Sequence, residues 1–241
     1  VKFTSGADLF IGHESNGGYR GALTATGVTF TSLDSTGWPG IDFRNYSEDA
    51  GCLLDSCTIE NATDGIYCTS SNPTITNCTI QNNTDGIYCA TSNPTITNCT
   101  IRNNTDGIYA DAGSQPTITG NTFTGNTRPV SVYAARINNT ISGNTYTGNT
   151  KDYIEVQAAT LDENLTYVWA KDNGPYVVVG DVYVQRANNG SQLSTLQIAS
   201  GTTVKFTSSA DLFIGHESGS NNYKGALTAT GVTFTSLDST G

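Results

Sequence analysis

The chain has 241 residues, of which 36% are hydrophobic and only 13% are charged, so it is long enough to bury a core without depending on disulfides. With 11 Lys and Arg against 21 Asp and Glu, its net charge of -10 disfavours nucleic acid or an anionic membrane as a partner. No stretch approaches the roughly 20 apolar residues that cross a bilayer, so no membrane span is expected in this segment.

The N-terminal segment opens a long repeat. VKFTSGADLFIGHES at Val1 returns as VKFTSSADLFIGHES at Val204, and GALTATGVTFTSLDSTG at Gly21 returns at Gly225. We therefore predict a large tandem unit over residues 1–203, with the next unit starting at 204. Val1 looks like neither a start codon nor a signal peptide, and no atypical capping repeat is recognisable, so we expect both ends to be cuts or processing sites.

Short repeats follow one another between residues 53 and 150. Ile75–Thr95 reads ITNCTIQNNTDGIYCATSNPT, and Ile96–Thr117 reads ITNCTIRNNTDGIYADAGSQPT. A weaker copy precedes this pair and two diverged copies follow it, with a period of about 21 to 23 residues that is typical of solenoids.

Each short copy alternates apolar and polar residues in brief runs that are separated by Asn-Asn, Asp-Gly and Asn-Pro, and no run has helical periodicity. This pattern predicts short strands joined by turns. One copy cannot close a core, but copies stacked roughly 4.8 Å apart bury a continuous one. We therefore predict an all-β fold, a single continuous β-solenoid over residues 1–241.

These repeats resemble the right-handed parallel β-helix repeat proteins of archaeal and bacterial surfaces, in the pectate-lyase-like solenoid superfamily. The coils of that family follow an I-x-x-N-x-I-x-x-N-x-x-G-I pattern, which Ile75–Ile87 and Ile96–Ile108 match best. The resemblance implies a right-handed parallel β-helix with coils of about 21–23 residues. It leaves the function open, because family members include polysaccharide-degrading enzymes, adhesins and passive surface material.

Two inward columns carry the polar positions of this pattern. In the first, Cys57, Cys78 and Cys99 replace the usual Asn, which returns at Asn121 and Asn144. The second column consists of Ala62, Asn83, Asn104, Asn126 and Asn149. Stacked Asn side chains can bond one another and the turn backbone, so we interpret both columns as structural.

The cysteines recur at the coil period, as Cys57, Cys78 and Cys99 in one column and Cys68 and Cys89 in another, with Cys52 apart. This spacing is not that of a C-x-x-C metal site. Neighbours one coil apart are close enough for disulfides, and buried free thiols are the alternative. Both interpretations stay open.

Two further ladders are expected on the surface. Asp64, Asp85 and Asp106 recur in T-D-G turns, where Ca²⁺ could relieve their repulsion, although turn chemistry alone explains Asp before Gly. No cofactor is otherwise indicated. Alternation places Tyr67, Tyr88 and Tyr109 outward, as a ladder that either contacts sugars or a neighbouring filament or simply stabilises adjacent coils.

Thr pairs flank the inward Ile of three coils, a pattern that suits ice binding, but Leu53 and Asp55 interrupt the column. The strand propensity of Thr is sufficient to explain them. Nine sequons are candidate glycan acceptors in a secreted chain: Asn45, Asn61, Asn77, Asn82, Asn98, Asn103, Asn138, Asn164 and Asn189.

No catalytic residue is assigned. The only two histidines, His13 and His216, occupy one position of the long repeat, and no nucleophile, phosphate loop or metal signature is present. We therefore predict a non-enzymatic structural component of an extracellular filament, sheath or cell-surface layer whose partners are copies of itself. An adhesive role and glycan partners stay open. The alternatives are a carbohydrate-binding or polysaccharide-degrading protein and, more remotely, an ice-binding protein.

Overall fold

The computed structural model describes residues 1–12, 18–34, 36–186, 193–218 and 221–237. Five parallel sheets, A to E, run along one axis, and one short antiparallel pair, His216–Ser218 with Asn221–Tyr223, lies in sequence between the strands Leu212–Ile214 and Gly225–Ala229. Two 3₁₀ turns, Asp49–Gly51 and Ala134–Arg136, complete the regular structure of the described residues. No helix in these ranges has the length and apolarity needed to cross a membrane.

Three long sheets form the faces of the N-terminal two thirds. Sheet A has ten strands: Leu9–Ile11, Ile41–Phe43, Asp64–Thr69, Asp85–Ala90, Asp106–Ala110, Arg128–Tyr133, Ile154–Gln157, Tyr176–Val178, Thr203–Phe206 and Thr233–Ser236. Sheet B has seven: Lys2–Phe3, Thr29–Ser32, Thr58–Glu60, Thr79–Gln81, Thr100–Arg102, Thr122–Thr124 and Thr145–Tyr146. Sheet C has six: Thr24–Thr26, Leu53–Asp55, Thr74–Thr76, Thr95–Thr97, Thr117–Thr119 and Ile141–Ser142.

Two shorter sheets replace B and C in the C-terminal third. Sheet D consists of Ala159–Leu161, Val182–Val184 and Leu212–Ile214. Sheet E consists of Thr166–Trp169, Ser194–Ile198 and Gly225–Ala229. Sheet A continues through both regions, so the chain winds as one stack of three-sided coils, and the predicted parallel β-helix is confirmed.

Alternation within the short strands decides which side chains form the core. In Asp85–Ala90, Ile87 and Cys89 are fully buried, whereas Tyr88 between them is half-buried. Ile87 pairs with Ile66 in the coil before it and with Ile108 in the coil after it. Complete burial of an Ile side chain stabilises the fold by about 1.5–3 kcal/mol, so each apolar column contributes along its whole length.

The corners between sheets need backbone with positive φ. Asn77 and Asn98 have φ of 54° at the corner between sheets C and B, and Gly120 follows them in the next coil with 68°. Asn and Gly adopt this left-handed conformation most easily. The exchange of Asn for Gly in the diverged coils therefore preserves the corner.

The coil length differs from the prediction at both ends. Pairs in the middle of the chain, such as Asp85 with Asp106, lie 21 residues apart, as the short repeat predicts. Leu9 instead pairs with Ile41, and Thr203 pairs with Thr233, because longer loops connect the strands of the outer coils. A uniform period of 21–23 residues thus holds only for the short repeats.

Candidate functional surface

The outward surface of three sheet A strands, Asp64–Thr69, Asp85–Ala90 and Asp106–Ala110, brings together the Asp and Tyr columns. We call it the ladder face. Parallel pairing in register places Asp85 beside Asp64 on one side and Asp106 on the other, and it aligns the tyrosines in the same way. Side chains 21 positions apart in the sequence thus become direct neighbours on one surface.

A column of glycines supports the ladder face. Gly86 lies between Asp85 and the inward Ile87, and a Cβ atom added to it would be 2.5 Å from the carbonyl oxygen of Gly107. Such a separation is far below any contact that a side chain makes. The close approach of successive coils at the Asp column therefore requires glycine.

The Asp column holds a carboxyl group with an altered pKa. Burial, together with the neighbouring carboxylates of Asp106 and Asp64, raises the pKa of Asp85 to about 6, against the opposing effect of Arg128. Burial and the charge of Asp42 also raise the pKa of Asp64. At a pH slightly below neutral, a larger fraction of Asp85 is therefore protonated than of an ordinary aspartate.

Arg128 supplies the positive charge at one end of this column. It pairs with Asp106 across the strand register, with Nε 2.6 Å from Oδ1, and its Nη1 lies 3.2 Å from Oε1 of Glu155. Lys151 donates to the other oxygen of Glu155 at 2.9 Å. Since both carboxylates are buried, this network compensates charges that would otherwise be costly to bury.

The pKa of Asp85 predicts a stability change with pH. A carboxyl whose folded pKa is raised stabilises the fold while protonated, so the contribution is complete below its unfolded pKa of about 3.9 and is lost as the pH rises through about 6. Asp85→Asn should thus be more stable than the native chain at pH 8, by roughly 1 kcal/mol after allowance for partial exposure, and equally stable at pH 4. Urea unfolding at both pH values measures the difference.

Asp49→Asn provides the opposite control. Partial burial opposes ionisation of Asp49, but hydrogen bonds from Asn72 and Ser71 outweigh it and lower the pKa. This variant should lose stability at pH 8. A stabilising effect of the same size in both variants would mean that net charge, rather than the Asp column, controls the result.

The tyrosines form a continuous ladder. The ring centroids of Tyr67 and Tyr88 are 5.1 Å apart, those of Tyr88 and Tyr109 are 5.0 Å apart, and each pair is tilted by 36°. Burial and the nearby Tyr133 raise the pKa of Tyr109 to about 12, so this hydroxyl remains a neutral donor. The ladder offers aromatic faces and hydroxyl groups along one line, and its role as a contact surface stays a prediction.

A polar groove borders the ladder face at the corner between sheets B and A. Its walls carry the amides of Asn61, Asn82 and Asn103 and the hydroxyls of Thr84 and Thr105. The three Asn residues are sequon positions, exposed and with φ between 56° and 59°. A glycan on any of them would therefore occupy the groove.

The other sequon positions differ in exposure. Asn45, Asn77 and Asn98 are exposed, although the Asn77 amide already donates to the Asp55 carboxylate at 2.8 Å. Asn138 and Asn164 are half-buried, while Asn189 lies outside the described residues. Glycan attachment at all nine positions stays a prediction.

A family model described as a right-handed β-helix region matches residues 11–177, which include the ladder face. The chain belongs to the right-handed β-helix family. No curated protein and no solved structure shows significant similarity to it. The family includes both enzymes and non-enzymes, so membership confirms the fold, and the pectate-lyase-like resemblance agrees with it, without deciding the activity.

The inward Asn column of this β-helix is confirmed as structural. Oδ1 of Asn104 accepts hydrogen bonds from the backbone N–H and the side-chain amide of Asn83, at 2.9 and 3.1 Å. Its own amide donates to the carbonyl of Ile80 and to Oδ1 of Asn126. Each Asn thus satisfies polar groups of two adjacent coils inside the solenoid.

All six cysteines of the β-helix are buried free thiols. The Cys78 sulfur accepts the backbone N–H of Cys57 at 3.4 Å, which is the position of Asn Oδ1 in neighbouring coils. Cys99 in turn donates its backbone N–H to Asn121 at 2.8 Å. The thiols therefore continue the polar column with a weaker acceptor, and the choice between free thiols and disulfides in the native protein stays a prediction.

These thiols should be unreactive in the folded protein. Burial raises the pKa of Cys68 and Cys89 well above that of a free thiol, so these two hold little thiolate, and the burial of all six cysteines restricts the access of reagents. Labelling by iodoacetamide should be about 100-fold slower or more in the native chain than in urea, where all six residues react. Rapid native labelling, or fewer than six reactive thiols after unfolding without reductant, would contradict this arrangement.

The β-helix also contains a column that the sequence interpretation missed. Ser71 donates its backbone N–H to the Ser92 hydroxyl at 3.2 Å, and Ser92 donates to the Ser114 hydroxyl at 2.9 Å. All three are buried at the corner between sheets A and C. The recurring S-N-P and S-Q-P segments are the available signal in the sequence, although such segments by themselves indicate only turns.

The remaining expectations concern a bound metal, the Thr pairs and ice binding. Among the described residues, no three His, Cys, Asp or Glu side chains are grouped to hold a metal, and Ca²⁺ at the Asp column stays a prediction. Thr76 and Thr97 align on sheet C, with hydroxyl oxygens 3.2 Å apart, so the Thr pairs stabilise each other across coils. Ice binding was the most remote alternative, and no further argument supports it.

Proposed function

We propose that this β-helix is a structural segment of an extracellular filament, sheath or cell-surface layer built from tandem units. One observation carries the proposal: the long repeat returns with the same pairing. Lys2 pairs with Thr31 in the first copy, and the corresponding Lys205 pairs with Thr235 in the second.

The second copy also continues the solenoid of the first without a linker. Val204, its first residue, is fully buried and pairs with Tyr176 in the preceding coil. A boundary between independent domains would expose a flexible, polar connection. Backbone hydrogen bonds instead cross the boundary between units, which suits an element that provides length and rigidity.

Electron microscopy of the purified native material tests this role. Unbranched rods with a regular axial repeat are expected if tandem units form one continuous solenoid. Dispersed particles no longer than one unit would contradict the proposal and favour a soluble binding or enzymatic role.

Carbohydrate binding is the second candidate, because the Tyr ladder lies beside a groove of amides and hydroxyls. Aromatic faces stack on sugar rings, while Asn and Thr groups bond sugar hydroxyls. Tyr88→Ala should therefore reduce glycan binding at least tenfold on an array of neutral and acidic polysaccharides, and Tyr183→Ala on sheet D is the control. Equal binding by both variants would exclude the ladder face as the site.

A degradative version of this role would use the carboxyl pair of Asp85 and Asp106. Glycoside hydrolysis uses two carboxyl groups, one of which donates a proton, and Asp85, whose pKa is raised, lies beside Asp106 on the ladder face. Reducing-end release from the bound polysaccharide, lost in Asp85→Asn, would support it; binding without turnover would leave a binding module.

A further inference from the structure

The C-terminal coil exposes apolar side chains that the same sequence buries at the N-terminus. Phe30 is 4% exposed, whereas its counterpart Phe234 is 43% exposed; Ile11 and its counterpart Ile214 differ in the same way, at 7% and 39%. Both copies read TFTS and LFI at these positions. The difference therefore arises from what lies next to each coil, not from the residues themselves.

The first copy shows what covers these residues. Strand Ile41–Phe43 pairs with Leu9–Ile11, and strand Thr58–Glu60 pairs with Thr29–Ser32, so that Ile59 lies beside Phe30. This covering coil consists of residues 38–60. It contributes fully buried side chains to the core.

Trp38 makes the most specific contact of the covering coil. Its indole is 2% exposed and stacks on Phe3, with ring centroids 4.3 Å apart and planes 7° apart. Phe206 is the counterpart of Phe3 in the second copy, and it lines an open groove with Leu212 and Phe234. The groove thus occupies the place where the indole lies in the first copy.

We propose that the surface formed by Phe206, Leu212, Ile214 and Phe234 binds a coil with the chemistry of residues 38–60, supplied by a further large unit. This inference rests on the proposed tandem architecture. The first copy supports this occupant over an unrelated partner, because identical strands already bind that coil there in known register.

The position of the second copy also determines the orientation of the added coil. The TFTS strand belongs to sheet B in the first copy but to sheet A in the second, and LFI moves from sheet A to sheet D. The added strands that correspond to Thr58–Glu60 and Ile41–Phe43 therefore extend sheets A and D. The whole unit is rotated by one face of the three-sided solenoid.

This rotation follows from the length of the large unit. Along sheet A, eight turns separate Leu9–Ile11 from Thr203–Phe206, and the latter corresponds to Lys2–Phe3, which lies one face earlier. A unit therefore comprises about eight and a third turns, or about 40 Å of axis at 4.8 Å per turn. Successive units display the ladder face on successive sides, and the fourth unit repeats the orientation of the first.

Extension of the full chain by a second copy of residues 38–60 tests the proposal, since Gly241 corresponds to Gly37 and the graft keeps the natural order. The control graft carries Ser in place of the tryptophan and of the two isoleucines that correspond to Ile41 and Ile59. The added tryptophan of the first graft should be protected from acrylamide quenching, as a buried indole is. Quenching equal to that of free tryptophan would overturn the proposal.

Matched substitutions provide the second measurement. In the 241-residue chain, Phe30→Ala should lower the unfolding midpoint far more than Phe234→Ala does. With the apolar graft, the effect of Phe234→Ala should approach that of Phe30→Ala, and with the Ser graft it should stay small. An unchanged effect of Phe234→Ala with the apolar graft would contradict the proposal.

The graft experiment also separates this inference from the proposed function. It uses the purified chain and does not depend on assembly in native material. Dispersed particles in native preparations would therefore contradict the structural role while leaving a positive graft result intact.

Discussion

Replacing Gly86 by alanine should lower the free energy of unfolding by about 3 kcal/mol or more. The new Cβ would lie 2.5 Å from the Gly107 carbonyl oxygen and 3.2 Å from the Asn104 amide. Backbone on both sides is held by parallel pairing to adjacent coils, so relief of this contact must break hydrogen bonds. Urea unfolding followed by circular dichroism measures the loss.

Gly27→Ala separates this contact from a general effect of glycine. Gly27 has a φ of 67° and would place its Cβ in open space, so only backbone strain of about 1 kcal/mol is expected. Failure of Gly86→Ala to fold would agree with the close-contact account. Equal losses in the two variants would contradict it.

Asn104→Ala should cost about 4 kcal/mol, because the change removes four hydrogen bonds inside the solenoid. The Asn83 backbone N–H and amide lose their acceptor, while the Ile80 carbonyl and Asn126 lose a donor. An unsatisfied buried polar group costs roughly 1–3 kcal/mol, and a water molecule admitted to the cavity would recover part of this. Thermal and urea unfolding should both show the loss.

The adjacent Asn103 is the matched control for this column. It is exposed and has a φ of 56°, so Asn103→Ala should cost only about 1 kcal/mol of backbone strain. A small effect of Asn104→Ala, comparable to that of Asn103→Ala, would mean that the inward amides contribute little to stability.

The sequence predicted the core of the middle coils because two nearly identical copies define the register. Once Ile75 and Ile96 are aligned, alternation in three-residue strands assigns inward and outward positions, and the Asn columns follow. Those columns proved to bond as expected. The prediction depended on local periodicity, which short repeats preserve.

Features that join diverged coils could not be predicted in this way. Arg128 binds Asp106 and Glu155, which lie in the coils before and after it. The sequences of these three coils have little pattern in common. The turn Ala134–Arg136 likewise contacts Ala159–Leu161, the first strand of sheet D, in the following coil. Such contacts are set by long-range packing that one sequence does not reveal.

The rotation between large units was also hidden in the sequence, although both copies were recognised. Identical segments suggested identical positions, but the loops that set the coil length vary from one turn to the next. Together, these loop lengths give each large unit about eight and a third turns rather than a whole number of turns. Only the assignment of strands to sheets shows it.

X-ray fibre diffraction from oriented native material tests the central claim, that tandem units form one solenoid along the axis of the assembly. We expect a meridional reflection at about 4.8 Å, with an axial spacing of about 40 Å per unit and a true repeat near 120 Å because of the rotation by one face. A 4.8 Å reflection on the equator, or none, would mean that the coils do not stack along the assembly axis, and would contradict the account.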